Sequence, residues 1–192
     1  HAADNIAGVA WDRSGHVYVT GTITSKASLG QVGGNAVTLS PVNVGAFVAK
    51  ITIHGDIVWT RCLGAAGESF GQFLTVDPKG NPILTGRARV GLGFLAGDEV
   101  AAVPCGNYQS YAVKLDKDGH IVWARGIQSA DRGIGMAIAE GSDGQIYLAG
   151  ECGARPKLNV NDGVVWTAGE SKQNLFVAKF LPPPRRAAIP RR

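Results

Sequence analysis

Short apolar runs alternate with polar positions along most of the chain, and turns rich in Asp and Gly separate them. His16-Val-Tyr-Val-Thr20 sets Val17 and Val19 on one face, a two-residue period that predicts a strand. Val9-Ala-Trp-Asp12 precedes it across Asp12-Arg-Ser-Gly15. There the Asp favours a turn and the Gly supplies positive φ, so the two runs predict a β-hairpin. Ala46-Phe-Val-Ala-Lys-Ile51, the turn Thr52-Ile-His-Gly-Asp56 and Ile57-Val-Trp-Thr-Arg61 predict a second hairpin. No helical period of about 3.6 residues is sustained anywhere, so the expected fold is all-β.

The same pattern recurs twice. Lys50, Lys114 and Lys179 are spaced 64 and 65 residues apart, Gly21, Gly86 and Gly150 are spaced 65 and 64, and Trp59 and Trp123 are spaced 64. The second unit reads Phe73-Leu-Thr-Val76, Pro82-Ile-Leu-Thr85, Tyr111-Ala-Val-Lys-Leu115 and Ile121-Val-Trp-Ala124. The third reads Met136-Ala-Ile-Ala139, Ile146-Tyr-Leu-Ala149 and Phe176-Val-Ala-Lys-Phe180, and then meets Pro182-Pro-Pro184, which cannot continue a ladder.

The chain is therefore expected to be β-propeller-like, with three repeats of about 64 residues at about 5–64, 68–128 and 131–180. Each repeat is a four-stranded antiparallel blade with an inserted hairpin, and the third blade lacks its last strand. A Pro/Arg-rich tail follows at 181–192. A propeller closes with at least about four blades, so other blades are the expected partners, either in a longer parent chain or in a homo-oligomer. The start at His1 without Met, just ahead of a first strand, fits a chain cut from a longer array. A β-trefoil is the alternative, although its three units are usually shorter.

In an up-and-down blade the tight turns at 12–15, 52–56, 77–80, 116–119 and 141–144 gather at one end. The inserts at about 22–44, 87–109 and 151–173 gather at the other, which is where a binding site is expected. Each insert is read as a small hairpin, most clearly at Asn161-Asp-Gly163.

Val17 to Gly21, Ala46 to Lys50, Gly55 to Arg61 and Leu63-Gly64 recur as Ile83 to Gly86, Tyr111 to Lys114, Gly119 to Arg125, Ile146 to Gly150 and Phe176 to Lys179. This pattern resembles the bacterial seven-bladed-propeller-type (SBBP) repeat family, over nearly the whole chain to about residue 180. The resemblance implies a secreted or cell-surface bacterial protein built of propeller blades, mostly without an assigned activity.

Composition adds limits. Hydrophobic residues make up 45% and charged residues 18%, which is a globular balance. The net charge of +4 is accounted for by Arg185, Arg186, Arg191 and Arg192, so the repeats are neutral and carry no global nucleic-acid footprint. No apolar run reaches the length of a membrane span, and no signal peptide is visible. Cys62, Cys105 and Cys152 occupy different places in their repeats; one disulfide with one free thiol, or three free thiols, both remain open.

Candidate chemistry is sparse. Asp116-Lys-Asp-Gly119 begins like a calcium loop but lacks the later ligands, so turn chemistry accounts for it. His1, His16, His54 and His120 share no metal-ligand spacing, and no nucleophile elbow or paired carboxylates in matching strands appear. No catalytic residue, metal or cofactor is expected. Trp59 and Trp123 are read as packing between blades, and the repeated lysines as rim residues with buried stems. Trp166, Tyr108, Arg87, Arg89, Arg155 and Lys157 are the candidate ligand-binding residues. The expected function is a non-enzymatic scaffold or protein-binding surface. A carbohydrate-binding or adhesive module using the inserts is second, and a propeller hydrolase or lyase third.

Overall fold

One aspartate or its equivalent builds each tight turn. Asp12 Oδ1 accepts hydrogen bonds from the backbone N–H of Ser14 at 2.8 Å and of His16 at 2.9 Å. Asp77 Oδ1 does the same for Lys79 and Asn81 at 2.8 and 2.9 Å, and Asp116 Oδ1 for Asp118 and His120 at 2.9 and 2.8 Å. Gly15, Gly80 and Gly119 close these turns at φ of 82°, 82° and 85°, where only glycine is unstrained. The acidic residues that echoed a calcium loop thus spend their oxygens on the turn itself.

The structure is a computed structural model that describes residues 4–30, 34–41, 43–64, 67–89, 92–96, 99–103, 109–129, 132–153, 157–158, 163–168 and 174–180, with backbone alone over 92–96, 99–103, 157–158 and 163–168. Every regular element among them is a strand. Strands β1 (Asn5–Trp11), β2 (His16–Ile23), β5 (Gly45–Thr52) and β6 (Ile57–Leu63) form one antiparallel sheet in the order β1-β2-β5-β6. Strands β7 (Ser69–Val76), β8 (Pro82–Ala88), β11 (Gln109–Leu115) and β12 (Ile121–Gln128) repeat that order. The first two inserts are hairpins, β3 (Ala27–Gly30) with β4 (Ala36–Leu39), and β9 (Leu92–Ala96) with β10 (Glu99–Val103).

The third sheet departs from the sequence reading. It contains β13 (Gly133–Glu140), β14 (Ile146–Cys152) and β17 (Asn174–Phe180), and it does not lack a fourth strand. Strand β16 (Gly163–Ala168), from the third insert, pairs antiparallel with β17 from Gly163↔Phe180 to Ala168↔Leu175, in the place β6 and β12 hold in the other sheets. The insert is accordingly not a hairpin. Its first strand, β15 (Lys157–Leu158), pairs with β12 at the edge of the second sheet. The ladder on β17 offers more main-chain bonds than a pairing with two-residue β15, and it covers an otherwise bare edge.

The glycines at 21, 86 and 150 do not end their strands, because β2, β8 and β14 run on past them. Each sits opposite a β-bulge in the sheet's first strand, where Ala7, Gln72 and Met136 are the extra residues. A Cβ on Gly21, Gly86 or Gly150 would lie inside the carbonyl oxygen of Asn5, Phe70 or Ile134. The invariant spacing therefore marks the close approach of two strands.

The sheets stack face to face. β7 packs across β1, β2 and β5, and β13 packs across β7, β8 and β11. The first seam buries Tyr18, Ala46, Val48 and Leu63 against Leu74, Leu84, Tyr111 and Val113. The second buries Ile83, Ala112, Trp123 and Ile127 against Ile138, Leu148, Phe176 and Phe180. A third cluster, centred on Val19, Ile23, Phe47 and Ala49, lies on the outer face of the first sheet beneath Leu39, with Ala27 and Leu29 packed beside it.

Candidate functional site

The repeated lysines end the third strand of each sheet, and the first two are buried. Lys114 lies at the second seam. Its Nζ is 2.8 Å from Asp77 Oδ2 of the same sheet and 3.1 Å from both carboxylate oxygens of Glu140 in the next sheet. A buried ammonium needs such partners, and two carboxylates from different sheets supply them. Burial alone pushes the Asp77 carboxyl up, but hydrogen bonds from Lys114 and Asn81, together with the Lys114 charge, outweigh it and hold Asp77 below the usual carboxylate range.

Lys50 occupies the same place at the first seam with different partners. Its Nζ donates to the Lys117 carbonyl at 3.2 Å and lies 5.4 Å from the centre of the Tyr18 ring. Trp59 Nε1 donates to the same carbonyl at 2.9 Å, and Arg61 reaches the Gly119 and Asp118 carbonyls. Tyr18, fully buried, donates to the Gly80 carbonyl at 2.9 Å and to Asp12 Oδ2 at 3.2 Å, so its hydroxyl ties the two turns together. At the second seam Trp123, the counterpart of Trp59, packs edge-on against Phe180 at 5.7 Å, and its buried Nε1 has no hydrogen-bond partner among the described residues. Both tryptophans stand between sheets, as the sequence suggests.

Asp77, Lys114, Asp116, Trp123, Glu140 and Ser142 line a cleft of about 570 Å³ at this second seam. It opens at the tight-turn end, opposite the end chosen from the sequence. Its innermost charges already neutralise one another, so the group's first effect is to lock the second sheet to the third in one register. Asp77 and Glu140 were missed by sequence reasoning. An Asp that opens a turn and a Glu that precedes one are unremarkable until the facing strands are known.

Asp12 shares the behaviour of Asp77: burial pushes its carboxyl up, but the backbone N–H groups of His16 and Ser14 and the His16 side chain bring it below the usual value. A carboxyl depressed in the folded state adds stability above its unfolded pKa and loses it as pH falls through the folded pKa. Unfolding free energy is therefore expected to be level above about pH 5 and to fall below about pH 4. Asp77→Asn should flatten that acid limb. Denaturant titrations of both proteins across the range check this, and an unchanged acid slope in the variant would remove Asp77 from the account.

Of the residues singled out from the sequence, Arg87 stacks over the Phe70 ring at 4.3 Å, and Arg89 approaches Glu68 at 3.9 Å. Both stand at the insert end of β8 but are engaged within their own sheet. Trp166 lies on β16 in register with Val177, and Lys157 on β15 in register with Gln128. Tyr108 and Arg155 lie outside the described residues, as does Cys105. Cys62 and Cys152 are both free thiols, and burial pushes each up. Among the described residues no group of three or more His, Cys, Asp and Glu gathers as a metal site. His16 and His120 instead bond the aspartates of their own turns at 3.1 and 3.2 Å. No helix among the described residues is long and apolar enough to cross a membrane.

Comparison with known proteins gives no match to any family model and none to a curated protein.

Proposed function

We propose that the chain is a propeller-type scaffold module that works by binding protein through its sheet faces rather than by catalysis. One observation carries this reading: an apolar row on the first strand and one on the third strand, each buried at an internal seam, are exposed where they recur at the two ends of the stack, along β1 and along β17. Val9 and Trp11 on β1 are 61% and 75% exposed, while their counterparts on β7 pack into the first seam, Leu74 at 9% exposure and Val76 half-buried. Leu175 and Val177 on β17 are 63% and 42% exposed, while their counterparts Ala46 and Val48 on β5 are fully buried. Singly exposed apolar residues are ordinary, but rows of them on the faces of a repeat mark a docking surface.

The propeller form of the reading has two supports. First strands pack on one another along the stack, whereas the wedge between fourth strands is occupied by insert hairpins, with β9 against β6 and β10 against β12. Sheets fanning from an axis would pack in this way, which supports the propeller form. The resemblance of the repeats to the SBBP family agrees with it and brings a secreted or cell-surface location into the proposal.

Appending a second copy of residues 4–64 after Phe180, through a flexible Gly/Ser linker long enough to return along β17 to the insert end where β1 begins, tests the reading. Each repeat in such an array gains stability from its neighbour, so the four-repeat chain should unfold at a higher denaturant midpoint with a steeper transition. Leu175→Asp in the same chain should cancel the gain. A four-repeat chain no more stable than the parent would sink the scaffold reading.

A further inference from the structure

We propose that a second copy of this chain docks head to tail on the first, the exposed β1 row of each copy lying against the exposed β17 row on the third sheet of the other, so that two copies close one ring. The proposal rests on the scaffold reading above and adds the identity of the occupant and the mode of contact.

The internal seams show what each end face accepts. The following sheet always meets the row on the third strand of the preceding one: Ala46, Val48 and Lys50 at the first seam, Ser110, Ala112 and Lys114 at the second. On the third sheet the row is Leu175, Val177 and Lys179, with its two apolar members exposed. The preceding sheet always meets the end of the next first strand: Leu74 and Val76 of β7, then Ile138 and Glu140 of β13. On the first sheet those places are held by Val9 and Trp11. Beside that row Val19, Phe47 and Ala49, the counterparts of Leu84, Tyr111 and Val113, are buried with Leu39 of the chain's own β3–β4 hairpin, so the open part of this end is the β1 row.

The lysine at the seam makes the match specific. At the second seam the lysine meets the residue just before the tight turn of the following sheet, whereas Lys50 at the first seam reaches the Lys117 carbonyl in that sheet's second turn. The residue at the second seam is Glu140, with which Lys114 forms an ion pair at 3.1 Å. At the outer junction Lys179 would meet Trp11. Lys179 already lies 5.5 Å from the centre of the Tyr147 ring, so an exposed indole at that place adds a second aromatic face to the same ammonium.

The inserts follow a rule that extends outward. β9 packs on β6 of the preceding sheet, and β15 pairs with β12 of the preceding sheet. The β3–β4 hairpin has no preceding sheet within the chain, and in a docked pair it reaches the β16 edge of the partner. Because β16 already completes the third sheet, the contact needs no borrowed strand; it is a contact of faces. A face-to-face contact between unlike ends forms a closed ring or an open chain. Two copies of three sheets fall within the four to eight blades at which propellers close.

Sedimentation equilibrium over a concentration series up to the millimolar range tests the proposal. The wild-type chain is expected at about 40 kDa, twice its 20.0 kDa mass. Trp11→Asp and Val177→Asp alter exposed side chains, so each variant should keep the wild-type circular dichroism while remaining at 20.0 kDa alone. Mixed one to one, the two variants should dimerise again, because one of the two junctions then has both wild-type faces. Homodimers of either single variant, or a mixture that stays monomeric, overturn the head-to-tail arrangement. A wild type that extends into larger species overturns the closed pair. A wild type that stays at 20.0 kDa while the four-repeat fusion gains stability overturns the second copy as occupant and leaves the scaffold reading standing. If the fusion gains nothing, it is the scaffold reading that fails.

Discussion

Lys114→Met is expected to lower the unfolding free energy by about 3–5 kcal/mol at neutral pH, the range for a buried ion pair that loses one partner. The methionine keeps most of the stem and removes the ammonium. Asp77, buried, and Glu140, partly buried, are then two carboxylates left at the second seam without the charge that held them. Desolvation and the neighbouring carboxylate both raise Asp77 once the Lys114 hydrogen bond and charge are gone, so its carboxyl moves up from its wild-type position, while the Asn81 hydrogen bonds still oppose the rise.

The acid limb must therefore weaken. A carboxyl depressed in the folded state loses stability as pH falls through its folded pKa, so with the Lys114 contribution to that depression gone the variant should decline less steeply below about pH 4 than the wild type. The two curves should converge on the acid side. Lys50→Met offers an internal comparison, because Lys50 meets a carbonyl and the Tyr18 ring and leaves no carboxylate behind. Its loss is expected near about 1 kcal/mol, the worth of an ordinary hydrogen bond. Denaturant titrations of both variants at several pH values check the pair. A Lys114→Met curve that runs parallel to the wild type, or lies within about 1 kcal/mol of it at pH 7, is incompatible with the triad described here.

The second large effect is expected at Gly86. An alanine there drives its Cβ into the Phe70 carbonyl oxygen, which is backbone and is fixed by the bulge at Gln72. The two strands must separate locally or the bulge must shift, and the expected cost is about 3 kcal/mol, at the upper end of overpacking in a close-packed interior. Gly144→Ala serves as the contrast. That glycine has no atom within 4 Å of a built Cβ, and only its φ of 78° opposes the substitution. Its expected cost is about 1 kcal/mol. Equal losses at the two sites would show that the recurring glycines at 21, 86 and 150 are kept for backbone freedom and not for strand approach.

These glycines also show how far the sequence could be read. Their spacing was plain, and with the lysines and tryptophans it gave the number of units, the antiparallel pairing of the first two and the end at which the tight turns gather. The cause of the spacing was hidden. A bulge leaves no residue signature on the opposite strand, so Gly21 looked like a strand end although β2 continues to Ile23. The turns fared better, because an Asp followed by a glycine three residues later is itself the machinery of the turn, and the side chain acts on its own neighbours. The seam charges were not legible at all. Asp77 and Glu140 are 63 residues apart in the chain, and only the stacking of β13 on the second sheet brings them to one lysine.

The third sheet failed for a related reason. In chain order proline follows soon after Phe180, so the sequence predicts an empty fourth place. The ladder has no regard for order. Val164, Val165 and Trp166 form a β-prone run that lies before β17 in sequence and beside it in space. Asn161-Asp-Gly163 pointed to a hairpin with the segment ahead of it, but that segment instead extends the edge of the neighbouring sheet at β12.

Five residues separate Ala168 from Asn174, and that short link makes β16 a resident competitor for the β17 edge. A tether of this length presents its strand at an effective concentration on the order of mM. Any outside strand seeking that edge has to outcompete a ligand that never diffuses away, so edge-to-edge capture there is disfavoured even where strand chemistry is suitable. The β17 edge thus carries its own antagonist, and the edge left for an outside strand is that of β16.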